Sequence, residues 1–278
     1  MEVKNTIVII THNSGHIIRG ALSALKQSQV LVFDNASKDD TRLICKNELS
    51  NVQLIESPTN LGYGRAANKA FNKVGSKYAL LLNPDVEIDH DALRALVARA
   101  DKLQSNWLYI APNTGHTVTE IDVEKQEPGL KRITDATGCA LLINLENFRK
   151  LGGFDHNIFL YYEEMDLSER ARNAGLEMFY AEDICFPHNS RQSVAASKNL
   201  DVMRNWHFQW SSLYYKKKHR LWARLIESII VNLFVSPIKQ LTASPERAAR
   251  YSVKRRATID FIFGRQAFDS NNQPHIPQ

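Results

Sequence analysis

Cysteine is scarce in this chain of 278 residues: Cys45, Cys139 and Cys185 stand far apart, with no C-x-x-C pair. That excludes a cysteine-built zinc site or a disulfide scaffold as the organising element, and a reducing cytoplasm is the compartment that fits. Long apolar runs are missing too. Thr6–Ile10 (TIVII) is too short and too strand-like for a secretory signal core or a membrane span. The later stretch LWARLIESIIVNLFVSPIKQL, residues 221–241, is interrupted by Arg224, Glu227 and Asn232 and meets Pro237, so it reads as an interfacial or packed helix. No G-x-G-x-x-G follows the first apolar run, which argues against the dinucleotide-binding fingerprint, and no recognisable nucleic-acid-binding motif occurs.

What is present suits a soluble globular protein with a sizeable core: 44% of residues are hydrophobic and 23% charged. Thr6–Ile10 and Val30–Phe33 are β-branched runs separated by Ile17, Ile18, Ala21, Leu22 and Leu25 at helical spacing, a β-α-β unit. The alternation continues with a helix over Asp39–Leu49, a strand over Val52–Glu56, a helix over Gly64–Val74, the apolar strand Tyr78–Leu82 and a helix over Asp91–Leu103. Such an order implies a parallel sheet covered on both faces, with ligands bound at the carboxyl ends of the strands. Asn113–Lys131 reads as a polar, irregular connection over a site, and the tail after Phe268 as a loose terminus.

Three polar clusters fall at those carboxyl ends: Thr11-His12-Asn13-Ser14, Asp34-Asn35-Ala36-Ser37 and Asn83-Pro84-Asp85. Asp34 can accept from the imide N–H of a pyrimidine, with Thr11, Asn13 and Asn35 beside it; it can equally cap the following helix. Asn60, Gly62, Arg65 and Asn68 lie in a glycine-rich segment opening a helix, suited to phosphate or ribose oxygens. Asp85, after a buried strand, offers a hard oxygen ligand to Mg²⁺ or Mn²⁺ under a diphosphate, and His188 is a candidate second ligand. Glu163, Glu164 and Asp166 follow Tyr161-Tyr162 at the mouth of a helix; clustered acids raise one another's pKa and make candidate general bases, or they complement the helix dipole.

Taken in order, IVIITHNS, VFDNASKDDT, NLGYGRAAN, LLLNPDVEI, TGCALLINLENFRKLGGFD, FLYYEEMDLSERARNAG and FPHNSRQS resemble glycosyltransferase family 2 and its bacterial rhamnosyltransferase-like branch, over about residues 5–220. The resemblance implies a GT-A fold, an α/β architecture with a mostly parallel sheet and flanking helices, carrying a C-terminal helical segment. It implies an inverting transfer from a nucleoside-diphosphate sugar, such as dTDP-rhamnose or a UDP-sugar, to a glycan or lipid-linked acceptor. Lipopolysaccharide, O-antigen and capsule precursors fit that branch. By position, Asp34 resembles the pyrimidine-binding acid, Asp85 the last residue of the D-x-D-type motif, His188 the downstream metal ligand, Gly152 and Gly153 an acceptor-side glycine pair, and Glu163-Glu164 the family's Glu-Asp pair, with Glu164 as the base. Two departures stand out: Asn83 replaces the first carboxylate of the metal motif, and Glu164 replaces an Asp, so that Asp166 could share the base role.

The expected organisation is a catalytic domain over residues 1–200, with a nucleotide-sugar half at 1–110 and an acceptor half at 111–200, then a basic and aromatic segment over 201–278. Lys216-Lys217-Lys218-His219-Arg220 and Lys254-Arg255-Arg256 call for an anionic partner: a membrane surface on the cytoplasmic side suits the neighbouring apolar residues, with packing on the catalytic domain or a homodimer contact as the other readings. A nucleotidyltransferase that makes sugar nucleotides is an alternative, although its Gly/Lys/Arg-rich loop near the first strand is missing; a non-catalytic nucleotide-sugar-binding protein is another.

Overall fold

The computed structural model describes residues 5–48, 52–115, 118–120, 128–188 and 198–277. The described residues group into two units, one drawn from 1–155 and 164–195, the other from 156–163 and 196–278.

In the first unit the chain runs β1 (Asn5–Thr11), α1 (Gly15–Ala24), β2 (Val30–Asn35), α2 (Thr41–Glu48), β3 (Val52–Ser57), α3 (Tyr63–Phe71), β4 (Tyr78–Leu82), α4 (His90–Ala100), β5 (Trp107–Asn113), β6 (Thr119–Glu120), β7 (Lys131–Asp135), β8 (Ala140–Asn144), α5 (Leu145–Lys150), α6 (Glu163–Asn173) and β9 (Glu177–Cys185). The strands form one sheet in the order β3-β2-β1-β4-β8-β5-β9-β7-β6. β1 to β4 are mutually parallel, as their helical crossovers require. The runs Ile7–Ile10 and Tyr78–Leu82 are buried at every position because both faces are covered. Ile7, Ile9, Val32 and Leu80 pack under α1, α2 and α4, while Val8, Ile10, Leu31 and Leu81 pack under α3, α5 and α6.

The second half of the sheet decides where the site lies. β8 runs antiparallel to β4, pairing Leu82 with Ala140, so the start of β8 meets the end of β4. β5 is antiparallel to β8 and parallel to β9. The carboxyl ends of β1, β2, β4, β5 and β9 therefore share one edge with the amino end of β8. This mixed half was not legible as alternation, because β7 and β8 follow one another with no helix between them.

α2 begins at Thr41, two residues later than expected, because Asp39 caps it from outside. Asp39 Oδ1 accepts from Thr41 N at 3.1 Å and Thr41 Oγ1 at 2.5 Å, and Oδ2 accepts from Gly15 N at 2.9 Å. The expected end at Leu49 lies outside the described residues. Asn113–Lys131 is not wholly irregular: β6 pairs antiparallel with β7, and residues 116–117 and 121–127 lie outside the described ones.

The second unit contains α7 (Lys198–Lys218), α8 (Trp222–Ile230), a π-helical turn (Val231–Val235), α9 (Ser236–Gln240) and α10 (Pro245–Ile262). α7 packs on α10 through Trp206 and Trp210, whose indole N–H groups donate to Asp260 Oδ2 at 2.9 Å and Arg265 O at 2.7 Å. The expectation of a loose tail after Phe268 is corrected. Asp269 Oδ1 accepts from Asn271 N at 2.8 Å and Gln273 N at 2.9 Å, turning the chain back; His275 then donates its backbone N–H to Ala267 O at 2.8 Å, and its ring lies tilted against Trp206 at 4.5 Å. Among the described residues no helix is long and apolar enough to cross a membrane.

Candidate active site

The carboxyl edge of β1 and β2 is a dense polar lattice. Thr11 pairs with Asp34 in the sheet register, and both are wholly buried. Thr11 Oγ1 lies 3.4 Å from Asp34 Oδ1, Ser37 N donates to Asp34 Oδ2 at 3.1 Å, and Arg42 Nε stands 3.6 Å from Oδ2. Asp34 thus makes the turn-capping contacts that are one half of its expected role. Asn13 and Ala36 hold left-handed φ of 52° and 63°, a strain that Asn tolerates better than Ala. They are fixed from both sides, Asn13 N donating to Ser37 Oγ at 2.9 Å and Lys38 N to Asn13 Oδ1 at 2.7 Å. His12, absent from the expected set, bonds through Nδ1 to Asn35 O at 2.8 Å. Burial pushes the Asp39 carboxyl up, but the bonds from Thr41 and Gly15 outweigh it and hold it below the usual range.

Asn35 ties this lattice to the glycine-rich segment. Its amide donates to Asn60 Oδ1 at 2.9 Å and Gly62 O at 3.2 Å and accepts from Leu61 N at 2.8 Å. Gly62, at φ 78°, opens α3. Arg65 is partly buried, and desolvation lowers its pKa against the opposing charge of Asp155. Asn68, expected at the nucleotide sugar, uses both ends of its amide on Phe154: it donates to the carbonyl at 2.8 Å and accepts from the N–H at 2.9 Å. It is a clamp on the Gly152-Gly153 turn. At Gly153, φ 75°, a Cβ would stand 2.6 Å from Asn68 Oδ1, so only glycine admits the clamp. Gly152, φ 80°, has open space where a Cβ would stand.

Asp85 and His188, 103 positions apart in the sequence, meet at the same sheet edge: His188 Nε2 is 3.1 Å from Asp85 Oδ1, with side chains 10% and 1% exposed. A two-residue antiparallel bridge, Val86 to His188, and the bond from Glu87 N to Pro187 O at 2.9 Å lock the approach. Asn83, two residues before Asp85, gives its backbone N–H to Cys139 O at 2.8 Å, and its side-chain oxygen lies 3.2 Å from Tyr63 OH, which donates to Gly138 O at 2.9 Å. No group of three or more His, Cys, Asp or Glu side chains able to hold a metal occurs among the described residues. One carboxylate oxygen and one imidazole nitrogen, buried and facing each other, form an incomplete but compatible donor pair for a divalent ion; nitrogen favours Mn²⁺ over Mg²⁺.

The three acids expected to act together are separated by the fold. Glu164 Oε1 accepts from Gly138 N at 2.8 Å, which places this carboxylate beside the Gly138-Cys139 segment that also bonds Asn83. A Cβ on Gly138 would stand 2.7 Å from Glu164 Oε1. Asp166 is wholly buried and bonded to Arg170 Nε at 2.8 Å; the same guanidinium donates to Leu151 O at 2.9 Å and Gly153 O at 2.7 Å. A general base must reach a substrate hydroxyl. Asp166 is sealed in an ion pair that fixes the glycine turn, and the shared base role expected for it gives way to a positioning one. Glu163, the first residue of α6, is buried and is grouped with the second unit, the first unit resuming at Glu164. Tyr161, at φ 67°, is grouped there too, its ring 5.5 Å from that of Phe208. Burial raises the Cys139 thiol above its ordinary value, so it stays protonated and is no nucleophile.

Sequence reasoning missed Tyr63, Gly138 and Arg170. Arg170 carried a signal, lying four residues after Asp166 on the same helix face. Gly138 and Tyr63 carried none, since their partners lie far away in the sequence. A cleft of ≈ 570 Å³ lined by Thr6, Val30 and Val52 lies at the opposite, amino-terminal edge of the strands and contains none of these residues.

The Glycosyl transferase family 2 model matches residues 6–111. An N-acetylglucosaminyl-diphospho-decaprenol L-rhamnosyltransferase of Mycobacterium tuberculosis is 23% identical over 273 residues, covering 78% of this chain and 86% of its own. Rhamnosyltransferase WbbL of Escherichia coli K12 is 22% identical over 262 residues, covering 80% of this chain and 97% of its own. The mannosyltransferase PcManGT of Pyrobaculum calidifontis, solved with GDP-Man and Mn²⁺, superposes with a TM-score of 0.61 at 12% identity over 95% of this chain and 88% of that one, a likeness of fold. With that model matching the strands that end at this polar edge and rhamnosyltransferases alongside most of its length, the chain is a glycosyltransferase, similar to family 2 over residues 6–111 and to rhamnosyltransferases over most of its length.

Proposed function

We propose that the protein is an inverting transferase that moves a sugar from a nucleoside-diphosphate donor, dTDP-rhamnose or a UDP-sugar, onto a glycan or lipid-linked acceptor in bacterial cell-surface polysaccharide synthesis. The observation that carries this reading is the meeting of Asp85 and His188, 3.1 Å apart, at the edge where the parallel strands end. Diphosphate leaving groups need their charge neutralised there. A divalent cation, held by Asp85 and His188 with diphosphate oxygens completing its shell, would supply that charge. The names of the rhamnosyltransferase relatives and the GDP-Man and Mn²⁺ in the mannosyltransferase support the same class of donor and cation.

In this reading the strand-end lattice of Thr11, Asn13, Asp34, Asn35 and Asn60 receives the nucleotide, with Arg65 and the amides at Gly62 facing its ribose or phosphates. The acceptor half keeps the Gly152-Gly153 turn as its acceptor-side contact, and Tyr161 stays a candidate acceptor contact from the sequence alone. Glu164 is the base: the Gly138 N–H holds one carboxylate oxygen, and the other receives the acceptor proton. As the acceptor O–H bond breaks, its oxygen forms a bond to the anomeric carbon from the face opposite the leaving group. The bond from that carbon to the diphosphate oxygen breaks, its electron pair leaving on the nucleoside diphosphate. The test is a screen of nucleotide sugars by thermal shift and by nucleoside-diphosphate release, with and without Mn²⁺ or Mg²⁺. A metal-dependent shift and release with one pyrimidine donor is expected; no response to any donor would reject the reading.

A further inference from the structure

The segment from α8 to α9 is built inside out. Trp222, Ile226, Ile230, Phe234, Ile238 and Leu241 are 53%, 56%, 48%, 66%, 69% and 85% exposed, while Asn232 and Ser236 are buried at 7% and 4%. The inner polar groups are satisfied: Asn232 Nδ2 donates to Ser228 O at 2.7 Å, and Lys216 Nζ donates to Ser228 Oγ at 2.6 Å. Four-residue steps overshoot an α-helical turn by about 40° and would spiral a stripe around the axis. The π-helical turn at Val231–Val235, closed i to i+5, needs more residues per turn and offsets that drift. One face therefore stays apolar from Trp222 to Leu241.

Beside the start of this stripe lies a cleft of ≈ 410 Å³ whose walls include Lys217, Lys218, Arg220 and Arg265 together with Trp210 and Trp222. Phe263, 85% exposed, sits between two residues of the same wall, Phe261 and Gly264. Residues 198–278 hold fourteen Lys and Arg against five Asp and Glu, a net charge of +9, whereas the whole chain carries +5 and the remainder is acidic.

We propose that this face lies on an anionic phospholipid surface, with the apolar stripe in the acyl boundary and the basic cleft taking headgroup phosphates. An apolar stripe this long facing outward, with polar residues turned in, fits a medium other than water. Charge selects the occupant. Two copies packed face to face would oppose two units of net +9, whereas an anionic leaflet attracts each basic residue near its surface. The inference extends the reading of a lipid-linked acceptor, because it would hold the enzyme where such an acceptor resides.

The experiment is co-sedimentation of the full chain, without substrate, with vesicles of phosphatidylcholine alone and of phosphatidylcholine mixed with phosphatidylglycerol. Binding to the mixed vesicles is expected, with a blue shift of tryptophan emission that Trp222→Phe reduces. The double variant Phe234→Ser with Ile238→Ser should partition roughly ten-fold less or weaker still, and Phe234→Leu with Ile238→Leu should bind as the parent does. Equal partitioning of the parent and the serine variant, or no binding by the parent, would overturn the proposal. So would concentration-dependent dimerisation, read by sedimentation velocity, that the serine variant abolishes. Nucleoside-diphosphate release from a soluble donor is measured on the same samples: its persistence when vesicle binding fails would reject the surface and leave the glycosyltransferase reading standing.

Discussion

The two units of this chain solve opposite problems with the same residue types. In the first, the central strands β1, β2 and β4 are apolar through their middles, and the polar clusters follow at one end. In the second, α7 buries its two indole rings against α10, while the segment from α8 to α9 turns Asn232 and Ser236 inward and aromatic and aliphatic side chains outward. Burial, not hydrophobicity, separates the two: Asp34 and Asp85 are sunk at the strand edge, whereas large apolar side chains from Trp222 to Leu241 are left outside.

The sharpest break of that comparison is at Glu164 and Asp166, two acids two residues apart. Glu164→Gln keeps the side-chain length and an acceptor for Gly138 N, so folding should be retained while turnover falls about 10³-fold with little change in donor KM. Steady-state release of nucleoside diphosphate reads this, and wild-type turnover would remove Glu164 from the mechanism. Asp85→Asn and His188→Ala come next. Each should lower kcat/KM about 10²-fold and flatten the response to added Mn²⁺. Asp166→Ala leaves the Arg170 guanidinium without its carboxylate and should cost about 3 kcal/mol of stability in denaturant unfolding, whereas Glu164→Gln should cost less than about 1 kcal/mol.

The smallest effect belongs to the second unit. Burial lowers the pKa of His207 from its ordinary 6.5 to about 4, its Nε2 lying 3.0 Å from His275 O. Folded His207 therefore stays neutral while an unfolded histidine takes up a proton below about pH 6.5. Proton uptake favours the unfolded chain between those two values, so this contribution to stability is present above pH 6.5 and is lost progressively as pH falls toward 4. From pH 7.5 to pH 5 the parent should lose about 2 kcal/mol more than His207→Gln. Parallel losses would show that His207 is not the titrating group.

Much of the first unit was legible because its signals are local. Hydrophobic runs fix β1, β2 and β4, with Tyr78–Leu82 read to the residue, and the polar residues after them fall at the edge that parallel pairing dictates. What could not be read depends on pairing across distance. Asn68 looked like a phosphate-side amide until Phe154 claimed both its ends, and the carboxylates of α6 looked like one cluster until Arg170 and Gly138 took Asp166 and Glu164 in different directions. The tail after Phe268 was misread because its Asp-rooted turn matters only once Trp206 is there to receive His275.

Asp85 and His188 together are the proposed seat of a cation beneath a diphosphate. Calorimetric titration of Mn²⁺ into the full chain, with and without a pyrimidine nucleoside diphosphate, tests this most directly. The nucleotide should tighten Mn²⁺ binding in the parent chain, and either Asp85→Asn or His188→Ala should abolish that gain; an undiminished gain in both variants would contradict the account.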